Sequence, residues 1–106
     1  MVHMIKILIL EGCNKCKKLK EALDDSRIKY ETIVCKEDTA ICDEVEDLTG
    51  VYQYPMVVHT DDFGYITNIF YVTDNYDHIG KLRKLSLGVT GLGFYSIDQL
   101  ISYVIK

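Results

Sequence analysis

The feature that most constrains this chain is Cys13-Asn14-Lys15-Cys16, placed between two segments of different period. Before it, Met4-Ile5-Lys6-Ile7-Leu8-Ile9-Leu10 is short and nearly continuous in apolar residues, the pattern of a central strand buried on both faces. Glu11-Gly12 reads as a turn, and Leu19, Ala22 and Leu23 then recur at helical spacing, so that Asn14 to about Ser26 reads as a helix. A Cys-x-x-Cys where a first strand passes into a first helix is a redox arrangement. The helix start offers unpaired N–H groups and a partial positive charge beside the first sulfur. A thiolate is stabilised there, so Cys13 is expected to ionise more readily than a free cysteine.

Size and composition narrow the setting. With 106 residues, 48% of them apolar, the chain is expected to form one domain over 1–106 around a modest core. No stretch approaches the roughly 18 uninterrupted apolar residues of a membrane span. The apolar run near the N-terminus is short and lacks a small-residue cleavage site, which points to the cytoplasm. There, four cysteines favour catalysis or metal binding over a disulfide framework. A net charge of −4 gives no electrostatic case for nucleic acid. The one local basic cluster is Lys15, Lys17, Lys18 and Lys20. It is either a solvated helix face or a positive rim for an anionic thiol substrate or an acidic partner.

Further along, Ile28 to Cys35 reads as a second strand, with β-branched Ile28, Thr32, Ile33 and Val34. Asp38 or Thr39 is placed to cap a second helix with the apolar face Ile41, Val45 and Leu48, and Gly50 is a natural stop for it. This β-α-β-α half implies a parallel strand pair with a right-handed crossover. Pro55, the single proline, directly precedes the apolar start of Met56-Val57-Val58-His59. Asp61-Asp62-Phe63-Gly64 is a turn signal and Tyr65 to Val72 reads as strand, which makes a hairpin. In residues 74–95, Asp74 or Asn75 is positioned to cap a helix carrying Ile79, Leu82 and Leu85, which Gly80 weakens. The three glycines of Leu87-Gly88-Val89-Thr90-Gly91-Leu92-Gly93 read as loop. Ser96 caps a final helix with Ile97, Leu100, Ile101 and Val104 on its apolar side.

The order β-α-β-α-β-β-α, with Cys-x-x-Cys after the first strand and Tyr54-Pro55 before the third, resembles the thioredoxin fold. It is closest to the small glutaredoxin-like branch, over Met4 to Asp74 and again over Gly93 to Lys106. The resemblance implies an α/β fold with a central mixed sheet flanked by helices. It also implies a dithiol–disulfide oxidoreductase active in electron transport, with Cys13 as attacking thiolate and Cys16 as resolving thiol. Pro55 would be cis, and the backbone of Tyr54 would hold an extended substrate. Lys15 would belong to the substrate rim. Gly93-Phe94-Tyr95-Ser96-Ile97-Asp98 is similar to the end of phage and bacterial glutaredoxins, where a hydroxyl or acid at the last helix's start binds the carboxylate of glutathione. Ser96 would take that role, with His78-Ile79-Gly80-Lys81-Leu82 as the other candidate for this element. The family works as a monomer without a bound cofactor, with glutathione or a flavoprotein reductase as electron source. A protein disulfide such as that of ribonucleotide reductase would be the client.

Other readings stand beside this one. A Cys-x-x-Cys can be half of a zinc site, and Cys35 and Cys42 supply two more thiols. Their spacing does not make a zinc knuckle, so no metal is expected. The two are small core residues, or a second, regulatory disulfide if their Cα atoms come within about 7 Å. Tyr52 and Tyr54 either pack with their hydroxyls at the surface or line a groove beside Cys13. His3, His59 and His78 fit no triad, so a Cys-His hydrolase is not indicated. A thioredoxin-fold binding or adaptor protein is the alternative of another class. It would ordinarily have lost one of Cys13, Cys16 or Pro55.

Overall fold

The computed structural model describes residues 4–36 and 39–106. The elements are β1 (Met4–Ile9), α1 (Asn14–Asp25), β2 (Glu31–Val34), α2 (Ala40–Thr49), β3 (Met56–Thr60), β4 (Ile66–Val72), β5 (Leu82–Lys84), β6 (Thr90–Phe94) and α3 (Ile97–Val104). The strands form one mixed sheet in the order β2-β1-β3-β4-β6-β5. β1 lies parallel to β2 and antiparallel to β3, as expected for an apolar strand with a neighbour on each side.

Strand alternation divides the sheet into two faces. Ile7, Val57, Phe70 and Leu92 point to one face and pack with Leu19 and Leu23 of α1 and Leu100 of α3. Leu8, Met56, Val58, Ile69 and Tyr71 point to the other face and pack with Cys42 and Val45 of α2. Each fully buried aliphatic side chain contributes about 1.5–3 kcal/mol of transfer free energy. Both faces are therefore substantial, and the thioredoxin-like mixed sheet flanked by helices is what the structure shows.

Local signals behave as their chemistry dictates. Gly50 ends α2 in the left-handed conformation, with φ 71°, and donates its N–H to the Glu46 carbonyl. Asp61 Oδ1 accepts from the N–H groups of Phe63 and Tyr65, each at 2.9 Å, which folds the β3–β4 turn. Ser96 caps α3 by accepting from Gln99 N–H at 3.3 Å. Thr39 is the N-cap of α2, but its hydroxyl accepts from Lys36 N–H at 3.0 Å rather than from the helix. Asp38, the other cap candidate, lies outside the described residues.

Two expectations need correction. The second strand begins at Glu31 rather than Ile28, because the chain leaves α1 through Arg27 at φ 57° and Ile28 N–H still bonds back to the Leu23 carbonyl. Residues 74–95 do not hold the helix expected after Asp74 or Asn75, and the loop expected over Leu87 to Gly93 is confined to Leu87, Gly88 and Val89, since Thr90 to Gly93 are strand. Asn75 closes a turn, its Oδ1 accepting from Asp77 N–H, and Gly80 at φ 70° interrupts any helical run. The chain then forms the β5–β6 hairpin, which turns through Leu87 and Gly88 at φ 60° and 77°. β6 adds parallel to β4, with Val72 opposite Phe94. Gly91 and Gly93 are strand positions where backbone and side chains approach closely. A Cβ on Gly93 would lie 2.9 Å from the His78 carbonyl oxygen and 2.9 Å from Thr73 Cγ2. The observed order is therefore β-α-β-α-β-β-β-β-α.

Candidate active site

The register brings the expected site residues to one end of the sheet. β1 and β2 finish there together, with Ile9 opposite Val34, and the antiparallel β3 starts there, with Met56 opposite Leu8. β4 and β6 also end there. The turn carrying Cys13, the loop carrying Tyr54-Pro55, the loop after Val72 and the Ser96 cap therefore share that end.

Cys13 is the N-cap of α1, and its Sγ accepts the Cys16 N–H at 3.1 Å. A sulfur in this position receives a backbone donor and the positive end of the helix dipole, both of which favour a thiolate. Cys16 is 2% exposed whereas Cys13 is partly exposed, and the two form a disulfide with Cα atoms 5.2 Å apart. Across from them the Tyr54-Pro55 peptide is cis, and the Tyr54 carbonyl oxygen lies 4.0 Å from Cys13 Sγ. Proline has no N–H, so it places no backbone donor of its own against the sulfurs. The Tyr54 ring packs on the α2 side of the sheet, and its hydroxyl donates to Glu46 Oε2 of α2 at 2.6 Å. Partial burial, then the bond to Glu46, holds the Tyr54 hydroxyl well above the usual phenol range. Tyr54 thus presents its backbone to Cys13, while its ring anchors the loop.

A cleft of about 400 Å³ lies beside the disulfide, with Gly12, Cys13, Cys16, Lys17 and Lys20 among its lining residues. Lys15 is exposed in the first turn of α1 but does not line this cleft. Lys17 and Lys20 do, together with Glu11, Glu21 and Asp24, so the rim is of mixed charge rather than uniformly positive. Lys18 reaches Asp98 of α3 at 2.6 Å, an exposed pair of small energetic weight. Ser96 has its hydroxyl engaged in capping α3. Sequence reasoning missed a second cleft, of about 390 Å³, where Val51, Tyr52 and Gln53 face Thr73, Asp74, Asn75 and His78. Position alone could have found Thr73 and Asp74, since they follow β4 directly at the site end. Tyr52 is 68% exposed on this second cleft rather than in the one beside Cys13.

The remaining cysteines are also paired. Cys35 and Cys42 form a disulfide with Cα atoms 5.9 Å apart, inside the 7 Å limit set from sequence. Cys42 packs in the core beneath α2, whereas α1 covers the opposite face of the sheet. The four sulfurs are thus divided between helices on opposite faces.

A mixed sheet with a disulfide at the first helix start, opposed by a cis-proline loop, defines a thioredoxin-like protein equipped for thiol–disulfide exchange. The family model described as Glutaredoxin matches residues 4–63, more than half of the chain. The chain belongs to the glutaredoxin family. The match takes in both cysteine pairs and the cis-proline loop, and it ends before β4, β5, β6 and α3. Comparison with curated proteins gives no match, and neither does comparison with solved structures. No helix among the described residues is long and apolar enough to cross a membrane.

Proposed function

We propose that the chain is a dithiol–disulfide oxidoreductase that reduces protein or small-molecule disulfides. The observation that carries this reading is Cys13 at the α1 N-cap, bonded to Cys16, with the Tyr54 carbonyl of the cis-proline loop 4.0 Å away. In the reduced protein the Cys13 thiolate attacks one sulfur of the substrate disulfide. A Cys13–substrate bond forms, the substrate S–S bond breaks, and the other substrate sulfur leaves as a thiolate that takes a proton from solvent. Cys16 then loses its proton and attacks Cys13 Sγ. The Cys13–Cys16 disulfide forms, and the second substrate sulfur leaves as a thiolate and is protonated. The substrate gains two electrons and two protons. The rate depends on thiolate fraction, nucleophilicity and leaving-group pKa. The backbone of Tyr54 beside Pro55 holds the substrate as an added strand, and Lys15 and Ser96 contribute at the rim.

Glutathione or a flavoprotein reductase returns the electrons, and a protein disulfide is the client, with ribonucleotide reductase as one candidate. The protein works as a cytoplasmic monomer with no bound cofactor. A disulfide-reduction assay with two regenerating systems tests this: glutathione with glutathione reductase, and thioredoxin reductase. Turnover with the first supports a glutathione site beside Tyr54, Pro55 and Ser96. Turnover with the second alone makes the protein a thioredoxin-like donor. Activity with neither, in folded and reduced protein, would overturn the oxidoreductase reading.

A further inference from the structure

Cys35–Cys42 has the features of a reactive pair as well as of a staple. Cys42 is the third residue of α2 and 2% exposed, while Cys35 is partly exposed at the end of β2. The pair closes only a short loop, with a sequence separation of 7, so it removes little entropy from the unfolded chain. The turn it spans also has bonds of its own. Lys36 N–H donates to Thr39 Oγ1 at 3.0 Å, Thr39 N–H donates to the Lys36 carbonyl at 3.1 Å, and Cys35 N–H donates to the Ile9 carbonyl at 2.7 Å. These bonds keep Cys35, Lys36 and Thr39 in place when the sulfurs separate, so the bond can form again.

We propose that Cys35–Cys42 is a second thiol–disulfide couple, opened by a low-molecular-weight thiol at Cys35, and that α2 transmits its state to the cis-proline loop. Cys35 is the more exposed residue of the pair, so attack is placed on its sulfur. A thiolate RS⁻ attacks its Sγ, an R–S–Cys35 bond forms, the Cys35–Cys42 bond breaks, and the electron pair leaves on Cys42. The first turn of α2 favours that thiolate before it takes a proton from solvent. A second RS⁻ attacks the R-bearing sulfur, releasing RSSR and the Cys35 thiolate. In sum, one disulfide and two RSH give two protein thiols and RSSR. The route to the first site is short. Glu46 follows Cys42 by one helical turn on the same face of α2 and accepts the Tyr54 hydroxyl at 2.6 Å, and the Tyr54 carbonyl faces Cys13. Closing the second disulfide fixes that face of α2 against β2, so Glu46 is a positioning residue for Tyr54.

The couple is independent of the proposed activity, whereas its effect on turnover rests on that reading. The first test equilibrates the native protein over a series of reduced-to-oxidised glutathione ratios, quenches with an alkylating agent and reads each cysteine by peptide mass spectrometry. Two separate two-electron transitions without denaturant are expected, with the glutathione adduct on Cys35 in the Cys42→Ser variant. A 35–42 pair that opens only after unfolding, or a Cys35 that takes no adduct, overturns the couple. Transmission is read in Cys35→Ser/Cys42→Ser and in Glu46→Gln, assayed with a disulfide peptide. Each is expected to raise KM about fivefold, the weight of one lost or loosened hydrogen bond, with a smaller change in kcat. An unchanged KM in either folded variant overturns transmission. Absence of turnover in the unaltered protein would overturn the proposed activity and leave the glutathione titration standing.

Discussion

The two disulfides of this protein are built on one plan and placed in different company. Each joins a sulfur that precedes a helix to the third residue of that helix, Cys16 in α1 and Cys42 in α2, and both of those residues are 2% exposed. Both lie at the end of the sheet where β1 and β2 finish. They differ in what surrounds the leading sulfur. Cys13 is itself the helix N-cap, takes the Cys16 N–H and faces a cis-proline loop. Cys35 lies upstream of the cap residue Thr39 and is tied to β1 by its own backbone N–H. A helix start makes a sulfur reactive in general. In the proposed mechanism it is the opposing loop, as the receiver of a substrate strand, that makes the Cys13–Cys16 pair the site for a disulfide substrate.

The largest effect that separates the pairs should come from their leading sulfurs. Cys13→Ser is expected to lower disulfide reductase turnover by at least roughly a thousandfold, as loss of a nucleophile does. Cys16→Ser should instead accumulate a mixed disulfide with substrate, visible as a mass adduct on Cys13. If Cys16→Ser retains full dithiol-dependent turnover with no adduct, the division of roles between the two sulfurs is wrong.

Stability gives a second contrast. Leu19→Ala removes a fully buried side chain that fixes α1, and about 2–5 kcal/mol should be lost in a denaturant titration. Removing the Cys35–Cys42 bond should cost less than roughly 3 kcal/mol, since its loop is short. A larger loss would show that the bond stabilises the fold by more than closing its loop. Gly93→Ala tests the part of the sheet beyond both pairs. Its new Cβ would press on the His78 carbonyl oxygen and Thr73 Cγ2, and about 1–3 kcal/mol of destabilisation is expected in the same measurement.

The smallest effect is in alkaline titration. Tyr30 is pushed up from 10.0 to about 12, by partial burial first and then by the bond its hydroxyl donates to Asp24. Tyr54 is also raised, by burial and by Glu46. A raised folded-state value means that the native protein holds these protons longer than the unfolded chain does. Their contribution is therefore complete below pH 10, and it is lost as pH rises toward about 12 for Tyr30. Ultraviolet titration should show a late tyrosinate phase that shrinks in Tyr30→Phe and again in Tyr54→Phe. A late phase of undiminished size in both variants would contradict the assignment.

Much of the first site was legible because its signals are local. An apolar strand, a turn, a Cys-x-x-Cys and a helical repeat are consecutive in sequence, and Gly50 and Ser96 act on their own neighbours. Contacts between distant segments were not legible. The Glu46–Tyr54 bond depends on how α2 sits on the sheet, which no local pattern specifies, and for the same reason the Cys35–Cys42 disulfide stood open beside a core reading of the two residues. Helical rotation also carries Lys17 and Lys20 of the same basic cluster to the cleft beside Cys13, one turn apart on the face that holds Cys16. The β5–β6 hairpin was hidden because glycine was read as a turn former. In β6 it serves close packing against Tyr71, Thr73 and the His78 carbonyl. The three-residue β5 is also too short for period-two alternation to register.

The order of the strands bears on self-association. The sheet ends in β2 on one side and β5 on the other. These edges are four and three residues long, and they carry Glu31 on one side and Arg83 with Lys84 on the other. Open strand edges are templates for adding another chain, and short, charged ones are poor templates. β5 and β6 thus do more than lengthen the sheet, because they move its open side from the apolar β4 to a basic three-residue strip. Two copies that meet edge to edge there would bring like charges together, so this edge is a poor template for a further strand.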